Sequence, residues 1–312
     1  MSGELENKKL IKKIVWASTR SSMEVDNYKH NKSGKKSKSY WSLFSSLVHY
    51  FAFILKVFNL YNKGLKNAKN IIINKIELKY KNLPENFDNY TILHLSDLHT
   101  DSIKELEDII INKIKNLNVD VCFITGDFRK DITGSIKNII KITKKITSNI
   151  NAKDGIYAVL GNHDTYLMTD YEEELKLKFL INESVSINRG KDKITVTGTD
   201  DPYRYYTAQA KEALEKDIKG FKIALVHTSE LHETAAKNNY NLYLCGHTHG
   251  GQICLPGGTP VITHQFDGKK FFKGLWKHLN MIGYTSSGCG VSGIPLRFYS
   301  QGEITIFTLK KI

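Results

Sequence analysis

The spacing of apolar residues changes character along this chain. Residues 1–39 are polar and end in KHNKSGKKSKS (29–39), which reads as disorder or loose helix. From residue 40 the period becomes helical. Trp41, Phe44, Leu47, Val48, Phe51, Ile54, Leu55, Phe58 and Tyr61 fall on one face, and Ser42, Ser45, Ser46, His49, Lys56, Asn59 and Lys63 on the other. After residue 71 short apolar runs of strand length take over. IIINKIELKYKNLP enters the series, and runs at 90–96, 119–126, 155–161, 193–198, 221–227 and 240–246 follow. Helical periodicity separates some of them, at 102–118 and 134–150. Strands alternating with helices predict an α/β fold with a parallel or mixed sheet covered by helices. The pattern divides the chain into an N-terminal arm with an amphipathic segment (1–66) and one larger domain (67–312).

The amphipathic segment fits a membrane span poorly. Its apolar run at 40–55 is interrupted by polar residues, and a spanning helix needs about 20 apolar residues. Three readings stay open: a helix lying on a membrane surface, one packed on the protein's own core or a second subunit, and, least favoured, a true span. Charge favours the first. The net charge is +13, and residues 1–90 hold 17 Lys and Arg against 7 Asp and Glu. The rest of the chain is nearly balanced. A basic arm running into an aromatic stripe suits an anionic membrane surface; nucleic acid fits less well, because the larger domain carries little of the charge. Cys122, Cys245, Cys254 and Cys289 form no CxxC pair, which excludes a disulfide-framed scaffold and implies free thiols in a reducing compartment. No secretory leader is expected, since the first apolar stretch begins near residue 40. Together these place the protein at the cytoplasmic face of a membrane, as a peripheral or monotopic protein.

The chemistry lies where the strand-like runs end. Asp97-Leu98-His99 follows the first, Gly126-Asp127 the second, and Gly161-Asn162-His163-Asp164 the third. His227 ends another, and Gly246-His247-Thr248-His249 the last. In α/β sheets the carboxyl edge of the strands is where sites form. Two carboxylates, an amide oxygen and several imidazoles exceed one tetrahedral ion's needs. They suit two close ions of the Mn²⁺, Fe or Zn²⁺ type.

The series D-x-H, GD, GNH-D, H and GHTH resembles the calcineurin-like metallophosphoesterase superfamily, over roughly residues 71–312. The resemblance implies a four-layer sandwich of two mixed β-sheets flanked by helices, and a hydrolase using two divalent metal ions. Manganese is the leading expectation. Asp97, His99 and His249 would hold one ion. Asn162, His227 and His247 would hold the other, and Asp127 would bridge. His163 would stand near the leaving group, with Asp164 steadying its ring. Arg129 and Arg297 are candidate phosphate contacts.

GHTHGGQICLP, a later Gly-Leu and GCGVSGIPLRFYSQGEITIFTLK are similar to the superfamily's membrane-associated branch. That branch includes YkuE-like phosphohydrolases and the UDP-2,3-diacylglucosamine pyrophosphatase of lipid A assembly. It implies a lipid-linked substrate, for which the aromatic and lysine-rich stretch 263–284 is a candidate rim. Its alternative is ordinary strands packed on the core. Two rival functions remain: a general phosphodiesterase or nuclease of the same superfamily, and a non-catalytic scaffold. A scaffold would be expected to have lost metal positions, and all seven are filled here.

Overall fold

The computed structural model describes residues 2–33, 50, 53–261 and 271–312. Two six-stranded mixed sheets stack face to face. The first has the order β1-β14-β2-β4-β6-β7, built from β1 (Ile72–Tyr80), β2 (Tyr90–Leu95), β4 (Val121–Thr125), β6 (Ile156–Val159), β7 (Lys178–Phe179) and β14 (Glu303–Lys311). The second is β12-β13-β11-β10-β9-β8, from β8 (Glu183–Arg189), β9 (Asp192–Gly198), β10 (Phe221–Leu225), β11 (Leu242–Cys245), β12 (Gly274–His278) and β13 (Met281–Thr285). The short pair β3 (Asn118–Val119) and β5 (Asn151–Ala152) stands apart.

The strands β2, β4 and β6 run parallel and are covered on both faces, which is why they read as apolar runs. Alternate residues serve different layers. Ile92 and Phe123 meet Val196, Ile223 and Leu244 of the second sheet in the central core. Leu93, Leu95, Cys122 and Ile124 face the other way, into a layer with Leu106 and Ile110 of the helix Leu106–Ile114 and Ile139 and Ile140 of the helix Lys137–Thr147. A third cluster covers the outer face of the second sheet. There Ala210 and Leu214 of the helix Ala208–Glu215 and Ala235 of the helix His232–Lys237 join Tyr243 and Cys245. The result is the helix–sheet–sheet–helix sandwich that the resemblance implies.

The N-terminal arm differs from expectation. Residues Ser2–Ser33 form a helix, α1, that docks on the body instead of standing loose. Its side chains reach the body through Lys13, Trp16, Arg20 and Glu24, and Arg20 is fully enclosed. Among the described parts of the amphipathic segment, Leu55 is buried while Phe53, Val57 and Phe58 are exposed. Trp41, Phe44, Leu47, Val48 and Phe51 lie outside the described residues. The helix α2 (Leu60–Lys69) then packs on the body: Gly64 accepts from the Arg297 backbone N–H, and a Cβ at Gly64 would meet the Phe298 ring at 2.7 Å. No helix among the described residues is long and apolar enough to cross a membrane.

Of the candidate rim, residues 263–270 lie outside the described part. The remainder is a β12–β13 hairpin, and Phe271 stacks on Trp276 in the core with ring centroids 4.5 Å apart. That part packs as ordinary structure.

Candidate metal centre

The site forms where β2, β4, β6, β10 and β11 end. Each strand stops in a sharp turn, and the turning residue is often the functional one. Asp97, His99, Asp127, His247 and His249 all have positive φ, from 38° to 71°. Non-glycine residues adopt this region at a cost of about 1–3 kcal/mol each, which clusters at functional sites. Two glycines permit the close approach of the loops. A Cβ on Gly246 would lie 2.2 Å from Asp97 Oδ2, and one on Gly161 would lie 2.2 Å from Asp127 Oδ1.

Two groups of donors result. Asp97, His99 and His249 offer ligand atoms all within 4.8 Å of one another, as do Asp127, His227 and His247. All six side chains are buried. Asn162 joins the second group, its Oδ1 lying 3.0 Å from His227 Nε2. Asp127 stands between the groups: its Oδ2 is 3.5 Å from His99 Nε2 and 3.4 Å from His227 Nε2.

The donor chemistry fits cations. His99 Nδ1 donates to the Arg129 carbonyl at 2.8 Å, so a neutral ring presents its lone pair at Nε2. That lone pair faces His249 Nε2 at 3.2 Å as well as the Asp127 carboxylate. Burial lowers His99 to about 4, and burial with the neighbouring His99 and Arg297 takes His249 well below the imidazole range. Protons therefore do not separate these acceptors at neutral pH, whereas a divalent ion would. The second group is polarised differently. Burial opposes charge on both Asp127 and His227, but each outweighs that penalty for the other, holding the carboxyl well below its usual range and the imidazole well above. Burial and the neighbouring Asp127 raise Asp164 to about 6, and burial raises Asp97 to about 6 despite His227. Imidazole, carboxylate and amide donors suit Mn²⁺, Fe or Zn²⁺. Cys245 points into the outer core beside Thr285, and burial pushes its thiol up, away from a thiolate ligand.

Three assignments change. The Asp164 carboxylate does not hold the His163 ring. It accepts backbone N–H groups of Asp127, Phe128 and Gly161 at 2.8–2.9 Å, tying the β4 and β6 loops together. The His163 ring is instead held by Nδ1 donating to the Lys130 carbonyl. Arg297 is no phosphate contact, because it is wholly enclosed beneath the last metal loop. It donates to the carbonyls of His249, Ser287, Gly288 and Gly290. Arg129 is nearly enclosed too, and spends Nε on the His163 carbonyl and Nη2 on that of Ile132. It therefore shapes the loop carrying His163.

Arg297→Met tests the structural role. Each buried carbonyl left without a donor costs about 1–3 kcal/mol. The variant is expected to unfold at a clearly lower temperature with or without metal. An unchanged melting curve with a raised KM would restore the substrate-contact role.

The pattern also extends further than the sequence reading took it. After β9 come Asp200 and Asp201, both fully buried beside the site. Asp201 accepts the N–H groups of Tyr203 and Arg204, closing a turn that sets the Tyr203 ring 4.4 Å from the His247 ring.

Comparison with known proteins agrees with this geometry. The family model for the calcineurin-like phosphoesterase superfamily domain matches residues 91–262. The uncharacterized metallophosphoesterase YkoQ of Bacillus subtilis is 29% identical over 78% of this chain and 92% of its own length. YkuE of the same organism is 30% identical over 75% of this chain and 83% of its own. A bovine transmembrane protein with metallophosphoesterase domain is 28% identical over 82% of this chain and 60% of its own length.

Proposed function

The chain belongs to the calcineurin-like phosphoesterase superfamily and is a metal-dependent phosphohydrolase; we propose that it uses two ions to cleave an amphiphilic phosphoester or pyrophosphate at a membrane surface. The observation that carries the two-ion reading is the pair of buried donor groups with Asp127 between them. Asp97, His99 and His249 would hold one ion; Asn162, His227 and His247 the other; Asp127 both. Mn²⁺ is the ion we favour, with Zn²⁺ and Fe as alternatives of similar ligand preference. When bound, such a pair makes a shared water acidic and offsets charge on the phosphoryl oxygens. The protein supplies the rest. Asp164 fixes the two loops that carry Asp127 and Asn162, and Lys130 orients His163 to give a proton to the departing oxygen.

Exposed apolar side chains support the membrane part. Leu10, Ile11, Ile14 and Val15 project outward from α1, in a sequence that also holds Lys8, Lys9, Lys12 and Lys13. Phe53, Val57 and Phe58 are exposed near Lys56 and Lys63. Basic residues beside an apolar face favour an anionic lipid surface, and buried free thiols are consistent with its cytoplasmic side. The full chain is expected to sediment with vesicles containing phosphatidylserine and to be partly released by salt. A chain that stays in the supernatant at low salt would remove the membrane from the proposal.

The substrate test is turnover with Mn²⁺ of a soluble monoester, a soluble diester and UDP-2,3-diacylglucosamine, following UMP release from the last. That lipid is the specific candidate carried by the motif resemblance. Faster turnover of the lipid-linked pyrophosphate supports it. Rapid hydrolysis of soluble diesters, with no lipid-linked pyrophosphate consumed, would favour a general phosphodiesterase.

A further inference from the structure

We propose that Arg20, on the N-terminal helix, is a positioning residue for the phosphohydrolase site, so that α1 is part of the catalytic apparatus. The side chain is 1% exposed although it belongs to a basic arm. Its Nη2 donates to the carbonyls of Gly161 and Asp164, both at 3.1 Å. Those two carbonyls bracket Asn162 and His163, the amide donor of the second metal group and the proposed acid. Nη1 pairs with Asp200, Nε donates to Glu24, and the guanidinium lies 3.4 Å from the centroid of the Tyr205 ring.

The partners are themselves anchored. Asp200 accepts from Trp16 Nε1 at 2.7 Å and from the Asp201 backbone N–H at 2.9 Å. Glu24 accepts from the Thr165 hydroxyl and the Tyr166 N–H, on the residues directly after the loop. The Asn162–His163 loop is thus gripped from two sides, by Asp164 within the body and by Arg20 from α1. A planar guanidinium can donate in several fixed directions at once, which lysine cannot reproduce. Without it, the outer side of the loop loses its fixed donors, and small displacements of reacting groups cost about 10²-fold in rate.

The inference rests on the two-metal reading, and the experiment separates them. Full-length Arg20→Gln/Asp200→Asn removes both members of the shortest ion pair together, while Glu24 keeps the Thr165 hydroxyl and Tyr166 N–H and Asp201 keeps the N–H groups of Tyr203 and Arg204. Mn²⁺ alone is titrated without substrate, and turnover is measured separately. The expected result is one Mn²⁺ equivalent bound as in wild type, a second bound at least about 10-fold more weakly, and kcat reduced about 10²-fold with little change in KM. Wild-type kcat and wild-type affinity for both equivalents would overturn the proposal and leave the two-metal reading intact. A wild-type chain that binds no Mn²⁺ would defeat that reading instead. Should the double variant not fold, Trp16→Phe/Glu24→Gln loosens the grip while keeping Arg20 with Asp200, and a smaller loss in the same two quantities is expected. No loss in that variant overturns the proposal. Lys145→Ala, at an exposed pair with Asp108 away from α1, is the control without effect.

Discussion

Asp127→Asn should abolish turnover and, with it, the stabilisation of the protein by Mn²⁺. The substitution is nearly isosteric, so the fold has no reason to fail. What changes is charge at the point between the two donor groups, where the carboxylate lies 3.5 Å from one imidazole and 3.4 Å from another. An anion there attracts both ions and offsets their mutual repulsion; an amide does neither. The amide also removes the counter-charge that holds the buried His227 imidazole above its usual range, so the metal-free variant is expected to be no more stable than wild type. Ligand binding stabilises by about 2.7 kcal/mol at 100 times Kd. The wild-type melting temperature should therefore rise with added Mn²⁺ while that of the variant stays put. Two bound ions and full activity in the variant would rule out the bridging role.

The site was largely legible because its residues follow strands that the apolar pattern marks plainly. Asp97, Asp127, Asn162, His227 and His247 each stand within two residues of such a run's end, so reading the five ends together brought them to one edge. The same logic extends to Asp200 and Asp201 after β9, where the signal was present. Arg297 and Asp164 were another matter. Their partners are backbone carbonyls and N–H groups, and the main chain carries no residue identity for a sequence pattern to reveal. A charged residue near a motif looks the same whether it meets substrate or holds a loop.

The docking of α1 was hidden for a related reason. Hydrophobic periodicity finds helices that bury an apolar stripe, yet here Leu10, Ile11, Ile14 and Val15 face outward. Lys13, Trp16, Arg20 and Glu24, spaced by three or four residues, make the polar contacts with the body. A helix that meets its protein through polar anchors and the partly buried Trp16 ring leaves little apolar signature on that face. Its exposed apolar side chains also show why the arm resembles a membrane-seeking segment.

His163→Ala is expected to separate proton transfer from metal binding. His163 belongs to neither donor group, although its ring centroid is only 5.0 Å from that of His99. With Nδ1 committed to the Lys130 carbonyl, Nε2 is the nitrogen left to serve a departing oxygen. The ring is half-buried, whereas the metal donors are enclosed. Its backbone N–H, which donates to Asp127 Oδ1 at 2.9 Å, survives truncation of the side chain. The alanine variant should therefore retain both ions and lose about 10²–10⁴ in rate, the range for a general acid. The loss should shrink for substrates whose leaving group departs without a proton, such as nitrophenyl esters, and stay large for alkyl or sugar leaving groups. A uniform loss across leaving groups would point to a role in positioning phosphate, and loss of metal would make His163 a ligand.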